Sequence, residues 1–245
     1  MIIQEFLKKA LIEPISSLCC RMSVSLQPNE KVRFNCRGEW LPLPSEFRIA
    51  LVSLFPAVMQ WVLIFFVPPF EFWIMLVAST LVLMLIAIFA SGGRINVVLS
   101  AKLFLLGALS AGLLYELFFL GYDATRSIAL FNQGVNRIYA LRLDEPTPII
   151  ALLLIFPIAL GEELYWRGLI QRTLSDKLGR YAGLTLGSAA YCLVHTPTFN
   201  LPLILASLMI GLTAGGLYAV TKNLTAGIVS HVFWSLMIFV FLPLH

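Results

Sequence analysis

From residue 49 onward the chain is a succession of apolar stretches, each near the length that crosses a bilayer. Roughly, they run 49–67, 72–90, 103–122, 149–171, 183–199, 201–220 and 224–242. A helix needs about 20 apolar residues to span the hydrocarbon core. In lipid the backbone must satisfy its own hydrogen bonds, so a chain of such segments folds as helices. The expectation is an all-α, polytopic membrane helix bundle with about seven transmembrane helices. Pro157 is expected to kink the fourth.

Composition agrees. Only 12% of the residues are charged, 59% are hydrophobic, and the mean hydropathy is +0.89. Soluble domains carry about 25% charged residues. A disordered chain, a collagen-like repeat and a disulfide scaffold are excluded. The net charge of +4 forms no continuous basic stripe, so nucleic acid is not an expected partner; the lipid bilayer is. The cysteines, Cys19, Cys20, Cys36 and Cys192, have no zinc-ribbon or CxxC spacing. Cys192 reads as a small packing residue, and the Cys19–Cys20 pair as unmodified thiols.

Basic residues set the orientation. With the N-terminus in the cytoplasm, thirteen Lys and Arg fall inside and three, Arg126, Arg137 and Arg142, fall outside. The C-terminus then lies outside. Three regions follow. Residues 1–48 form a cytoplasmic N-terminal extension, in which Ile3, Phe6, Leu7, Ala10 and Leu11 repeat at the spacing of an amphipathic helix. Charges at Glu5, Lys8, Lys9 and Glu13 argue against a signal peptide. Residues 49–148 hold the first membrane helices and an outer loop at 123–148, with an interfacial helix expected over Ile128–Leu141. Residues 149–242 form a membrane core. The connections 68–71 and 200–202 read as hairpin turns.

Small residues recur every four positions. Ser207, Gly211, Gly215 and Ala219 form one stripe. Gly183 and Gly187 lead to Tyr191 and His195, and Gly227 leads to His231 and Ser235. Small residues let membrane helices approach closely. Two stripes that run into a histidine point those histidines into the bundle.

Ionisable groups inside a membrane span are costly and usually functional. Here they are Glu116, Glu162, Glu163, Arg167, His195 and His231. Glu116 belongs to no motif and reads as a structural group. Glu163 and Arg167 are i,i+4 neighbours and are expected to form a structural pair. Glu162 is rotated about 100° from Glu163 and lacks a cation on its own helix. Such a carboxyl group suits general acid–base chemistry. Counted at ~1.5 Å per residue from the nearest inner charge, Glu162 lies ~15 Å deep, His231 ~14 Å and His195 ~22 Å. The three are therefore candidates for one cavity. One carboxylate, two histidines and the Ser235 hydroxyl can support hydrolysis, with one set activating water and the other facing an oxyanion. HExxH is absent. A His/His/Glu zinc site built from Glu162, His195 and His231 is an alternative, although nothing in the residues requires a cofactor.

These residues resemble the CPBP family of intramembrane proteases, which includes the type II CAAX prenyl endopeptidases and the bacteriocin-processing and immunity-type (Abi) proteins. The EExxxR motif is matched by Glu162-Glu163-x-x-x-Arg167. The FxxxH motif is matched by Tyr191-x-x-x-His195, with Tyr for Phe, and HxxxN or HxxxD by His231-x-x-x-Ser235. The resemblance covers about residues 149–242. It implies an endopeptidase acting within the membrane on a membrane-associated peptide or protein. Glu162 and His195 would activate water, Glu163 and Arg167 would form the structural pair, and His231 with Ser235 would stabilise the oxyanion. Ser235 departs from the family's Asn or Asp, and loss of one oxyanion donor typically costs ~3–4 kcal/mol. Two other readings remain, a catalytically silent scaffold or immunity-type protein and a proton-coupled transporter.

Overall fold

The computed structural model describes residues 45–66 and 71–244. The amphipathic segment at Ile3–Leu11, Cys19, Cys20 and Cys36, and most of the 68–71 turn lie outside the described residues. Among those described there is no strand. The helices are α1 (Ser45–Phe66), α2 (Phe72–Ser91), α3 (Ala101–Thr125), α4 (Ala129–Ala140), α5 (Thr147–Leu178), α6 (Arg180–Leu193), α7 (Leu201–Thr221) and α8 (Thr225–Phe241).

Five of these, α1, α2, α3, α5 and α7, are long and apolar enough to cross a membrane. The chain is an integral, multi-pass membrane protein. The other two expected spans are shorter. α8 is apolar but runs only from Thr225 to Phe241. The expected span 183–199 is a helix of 14 residues that stops at Leu193. At ~1.5 Å per residue it reaches only ~21 Å. It ends early because Pro197 enters a tight turn over Thr196–Thr198, and Phe199 follows with φ 48°. A proline disfavours helical geometry in the residue before it and removes a backbone donor.

The burial pattern is that of a protein dissolved in lipid. On α1 the buried positions are Glu46, Ala50, Ser53, Ala57, Gln60 and Trp61, while Val52, Phe55 and Phe66 are exposed. On α2, Leu76, Thr80, Leu83, Ala87 and Ser91 face inward and Phe89 faces outward. Both stripes follow the helical repeat. Their inner faces are no more apolar than their outer ones, because lipid offers apolar groups as good a solvent as the core does.

α5 is the central helix, buried almost continuously from Gly161 to Thr173. It breaks at Phe156, whose φ of −146° and ψ of 126° are extended. The cause is Pro157, which pushes its predecessor out of the helical region. A wide π-helical turn follows over Trp166–Gln171. Glycines set the neighbouring helices against α5. An added Cβ at Gly187 would lie 3.1 Å from Gln171 Cβ, and one at Gly161 would lie 2.7 Å from Thr80 Cγ2. Gln171 also donates from Nε2 to Gly215 O on α7 at 2.8 Å. α3 packs along α8, where an added Cβ at Gly107 would lie 2.7 Å from Val229 Cβ. Glu116 sits on an exposed face of α3.

Two polar clusters fasten the ends of the bundle. At one end Glu46 of α1 pairs with Arg172 of α5 and with Arg94 just beyond α2. At the other, α4 lies within the expected 128–141 segment, and Asn200 donates to Gly134 O at 2.9 Å. Tyr139 of α4 donates to Ile238 O at 3.0 Å and accepts from Leu244 N at 2.9 Å. Burial pushes the Tyr139 phenol up to about 12, so it keeps the proton it donates.

Candidate active site

Four elements bring the candidate residues together. Glu162 comes from α5, Tyr191 and His195 from α6 and the turn just after it, and His231, Trp234 and Ser235 from α8. All six line one cavity of about 110 Å³. α1 supplies Trp61 and Phe65 to its wall.

Glu162 is buried, and its partner does come from another helix. Tyr191 Oη donates to Glu162 Oε2 at 2.5 Å. Tyr191 holds its neighbours in two further ways. Its carbonyl oxygen accepts from His195 Nδ1 at 2.7 Å. Its ring lies under the Arg167 guanidinium, 4.9 Å from centroid to Cζ. A carbonyl can only accept, so His195 Nδ1 carries a hydrogen. In the neutral ring Nε2 is then the basic nitrogen. The ring is clamped by Trp61 at 4.2 Å and by Tyr191 at 4.9 Å between centroids.

Glu163 is wholly buried. It pairs with Arg167 at 2.9 Å, as its spacing predicts. The same oxygen, Oε1, lies 3.0 Å from His231 Nδ1. Arg167 also donates from Nη2 to Ile210 O at 3.0 Å. Gly227 makes room for this arrangement, since a Cβ there would lie 2.9 Å from Glu163 Oε2. The carboxylate accepts from His231 Nδ1, which leaves Nε2 as the ring atom available to a ligand.

Several of these contacts have no counterpart in the sequence reading. The Tyr191 hydroxyl has a local signal, because Tyr191 precedes His195 by one helical turn. The Glu163–His231 bond and the Trp61–His195 ring contact have none, since each joins elements far apart in the chain. Cys192 donates weakly to Ile204 O at 3.5 Å and is not among the residues lining the cavity.

Among the described residues no three His, Cys, Asp or Glu side chains come together so as to hold a metal ion. Glu162, His195 and His231 are not such a group.

The stretch that carries the three motifs also matches a known family, described as type II CAAX prenyl endopeptidase Rce1-like, over residues 144–237. No curated protein and no solved structure matches the chain. The match takes in Glu162, Glu163, Arg167, His195, His231 and Ser235, and leaves α1, α2 and α3 outside it. Residues 144–237 of this chain are thus similar to the Rce1-like, type II CAAX prenyl endopeptidase family.

Proposed function

We propose that the protein is an intramembrane endopeptidase that hydrolyses a peptide bond of a membrane-associated peptide or protein with a glutamate-activated water. The observation that carries this reading is the shared cavity. A carboxylate and a histidine with a basic Nε2 enter from α5 and the end of α6, and hydrogen-bonding groups enter from α8.

Glu162 takes a proton from water, with His195 Nε2 holding and relaying it. The water oxygen attacks the carbonyl carbon, and the C=O π electrons move onto oxygen. The Ser235 hydroxyl faces that oxyanion, and so does His231, whose Nε2–H donates from the imidazolium form that Glu163 pairs through Nδ1. Collapse restores the carbonyl and expels the amine, which takes the proton that Glu162 and His195 removed. Atoms and charge balance without a metal or cofactor. Glu163 and Arg167 support the site from behind, as a buried pair that fixes His231. The bias of basic residues supports an N-terminus in the cytoplasm and a C-terminus outside.

Cleavage profiling of membrane proteins in cells with the wild-type chain or Glu162→Ala tests this. Fragments present only with the wild type are expected. Identical profiles would refute the endopeptidase reading.

A further inference from the structure

The cavity that holds Glu162 opens toward one end of the bundle. Its chemical groups, Glu162, Tyr191, His195, His231 and Ser235, are buried. Apart from the small Ala206, the lining residues that keep some exposure are Phe65, Phe72, Ile138, Leu141, Leu203 and Phe239. These come from the last turn of α1, the start of α2, the end of α4 and the turn after it, the first turn of α7 and the last turn of α8. They form the mouth, and they sit at the end of the bundle that carries α4. Trp73 Nε1–H donates to Leu141 O at 2.9 Å and holds the turn after α4 against this rim.

Toward the other end the way is closed. Tyr165, Trp166, Arg167, Leu169, Ile170 and Gln171, on the next turns of α5, are each 2% exposed or less. The closed end is also the basic end. Arg48 starts α1, Arg94 follows α2, Lys102 starts α3, Lys177 ends α5 and Lys222 follows α7. Basic residues mark the cytoplasmic side of a membrane protein, so the mouth faces the opposite side. All six rim side chains are apolar, three of them phenylalanine. Such a rim accepts apolar side chains and offers a charged one no partner.

We propose that the cavity takes its peptide from the non-cytoplasmic side of the membrane, with apolar side chains next to the scissile bond. The substrate class is then a membrane protein or peptide whose apolar segment enters from the outer leaflet. The assignment rests on the endopeptidase reading above and adds the side from which that site is reached.

The test uses the full chain in bacterial cells, with Cys19, Cys20, Cys36 and Cys192 changed to Ser and one new cysteine added. A membrane-impermeant methanethiosulfonate applied to intact cells should modify Ile138→Cys at the mouth and abolish its cleavage of membrane proteins. Lys177→Cys at the basic end should react only in broken cells. A second measurement needs no cysteine variant. Fragments made by the wild type and absent with Glu162→Gln should map to sites within spans or on their outer flanks, with apolar residues beside the cut. Three results overturn the proposal and leave the Glu162 chemistry standing: Ile138→Cys modified only in broken cells, modified Ile138→Cys protein that cleaves at its full rate, or cut sites on cytoplasmic flanks. Identical fragment profiles from wild type and Glu162→Gln overturn the underlying reading and this proposal with it.

Discussion

Glu163 Oε1 is shared: Arg167 Nη1 lies 2.9 Å from it and His231 Nδ1 lies 3.0 Å from it. A pair expected to serve structure alone is thus bonded to a candidate catalytic histidine. Glu163 links α5 to α8, and Arg167 extends the link to α7 through Ile210 O.

Arg167→Ala leaves the Glu163 carboxylate buried without its cation. Breaking a buried pair typically costs ~3–5 kcal/mol, so folded yield and melting temperature should both drop. Activity should drop with them, because His231 loses its fixed partner. Detergent-purified yield, thermal unfolding and turnover check this together. Normal yield and stability with activity abolished would move Arg167 from support into the chemistry itself.

Tyr191→Phe restores the family's residue and removes one hydroxyl. It also frees Glu162 Oε2 from its 2.5 Å bond. A hydrogen bond to a charged group contributes about 1.5–3 kcal/mol. The expected result is an activity loss of roughly tenfold or more, with the fold intact. Because Tyr191 acts through Glu162, adding Tyr191→Phe to Glu162→Gln should cost nothing further. Additive losses would mean that the hydroxyl acts independently of Glu162.

Trp61 lies outside the residues that match the family, yet its ring packs against that of His195, tilted by 44° with centroids 4.2 Å apart. Trp61→Ala should release the imidazole and open a gap between α1 and the site. Truncating a buried Trp typically costs ~3–5 kcal/mol. Trp61→Phe keeps a ring in place and should retain most of the activity. Comparing kcat and melting temperature across both variants separates the clamp from general packing. Equal kcat in wild type and Trp61→Ala would remove α1 from the site.

What could be read beforehand follows the reach of each signal. Helix existence comes from local hydropathy, and it holds from α1 to α8. Motif spacing identified Glu162, His195, His231 and Ser235 as candidates, and the structure brings all four to one cavity. Whether they act there is for the variants to decide. Hydropathy overstates the length of α6, because apolar residues continue past Leu193 while the helix, with Pro197 in the turn that follows, does not. The bond from His231 to Glu163 was invisible for a different reason. Spacing along one helix does not fix how two helices are rotated against each other. That rotation depends on glycine contacts such as Gly227 beside Glu163. The wide turn over Trp166–Gln171 likewise has no local sequence mark.

The orientation is open to a direct test. Reporter fusions at residue 1 and residue 245 should report opposite sides, cytoplasm and outside, as the thirteen inner and three outer basic residues require. The two short helices make this informative. If α6, with 14 residues, does not cross, the number of crossings changes by one and both termini share a compartment.

The sharpest test concerns Glu162, His195 and His231 as one unit. Each single loss should nearly abolish hydrolysis, and combined losses should add little. Glu162→Gln keeps the size and hydrogen bonding of the side chain but removes its basic oxygen. It should reduce turnover to background while leaving the melting temperature near wild type. Ser235→Asn should retain or raise activity, since an amide reaches farther than a hydroxyl. Ser235→Ala should cost less than the loss of Glu162, because His231 remains as a donor. The assay is turnover by purified protein in lipid, with and without a strong chelator. No metal-holding group of three exists among the described residues, so the chelator should have no effect. Cleavage lost with chelator and restored by zinc would replace the water-activating carboxylate with a His/His/Glu metal centre, and undiminished cleavage by Glu162→Gln would remove Glu162 from the mechanism.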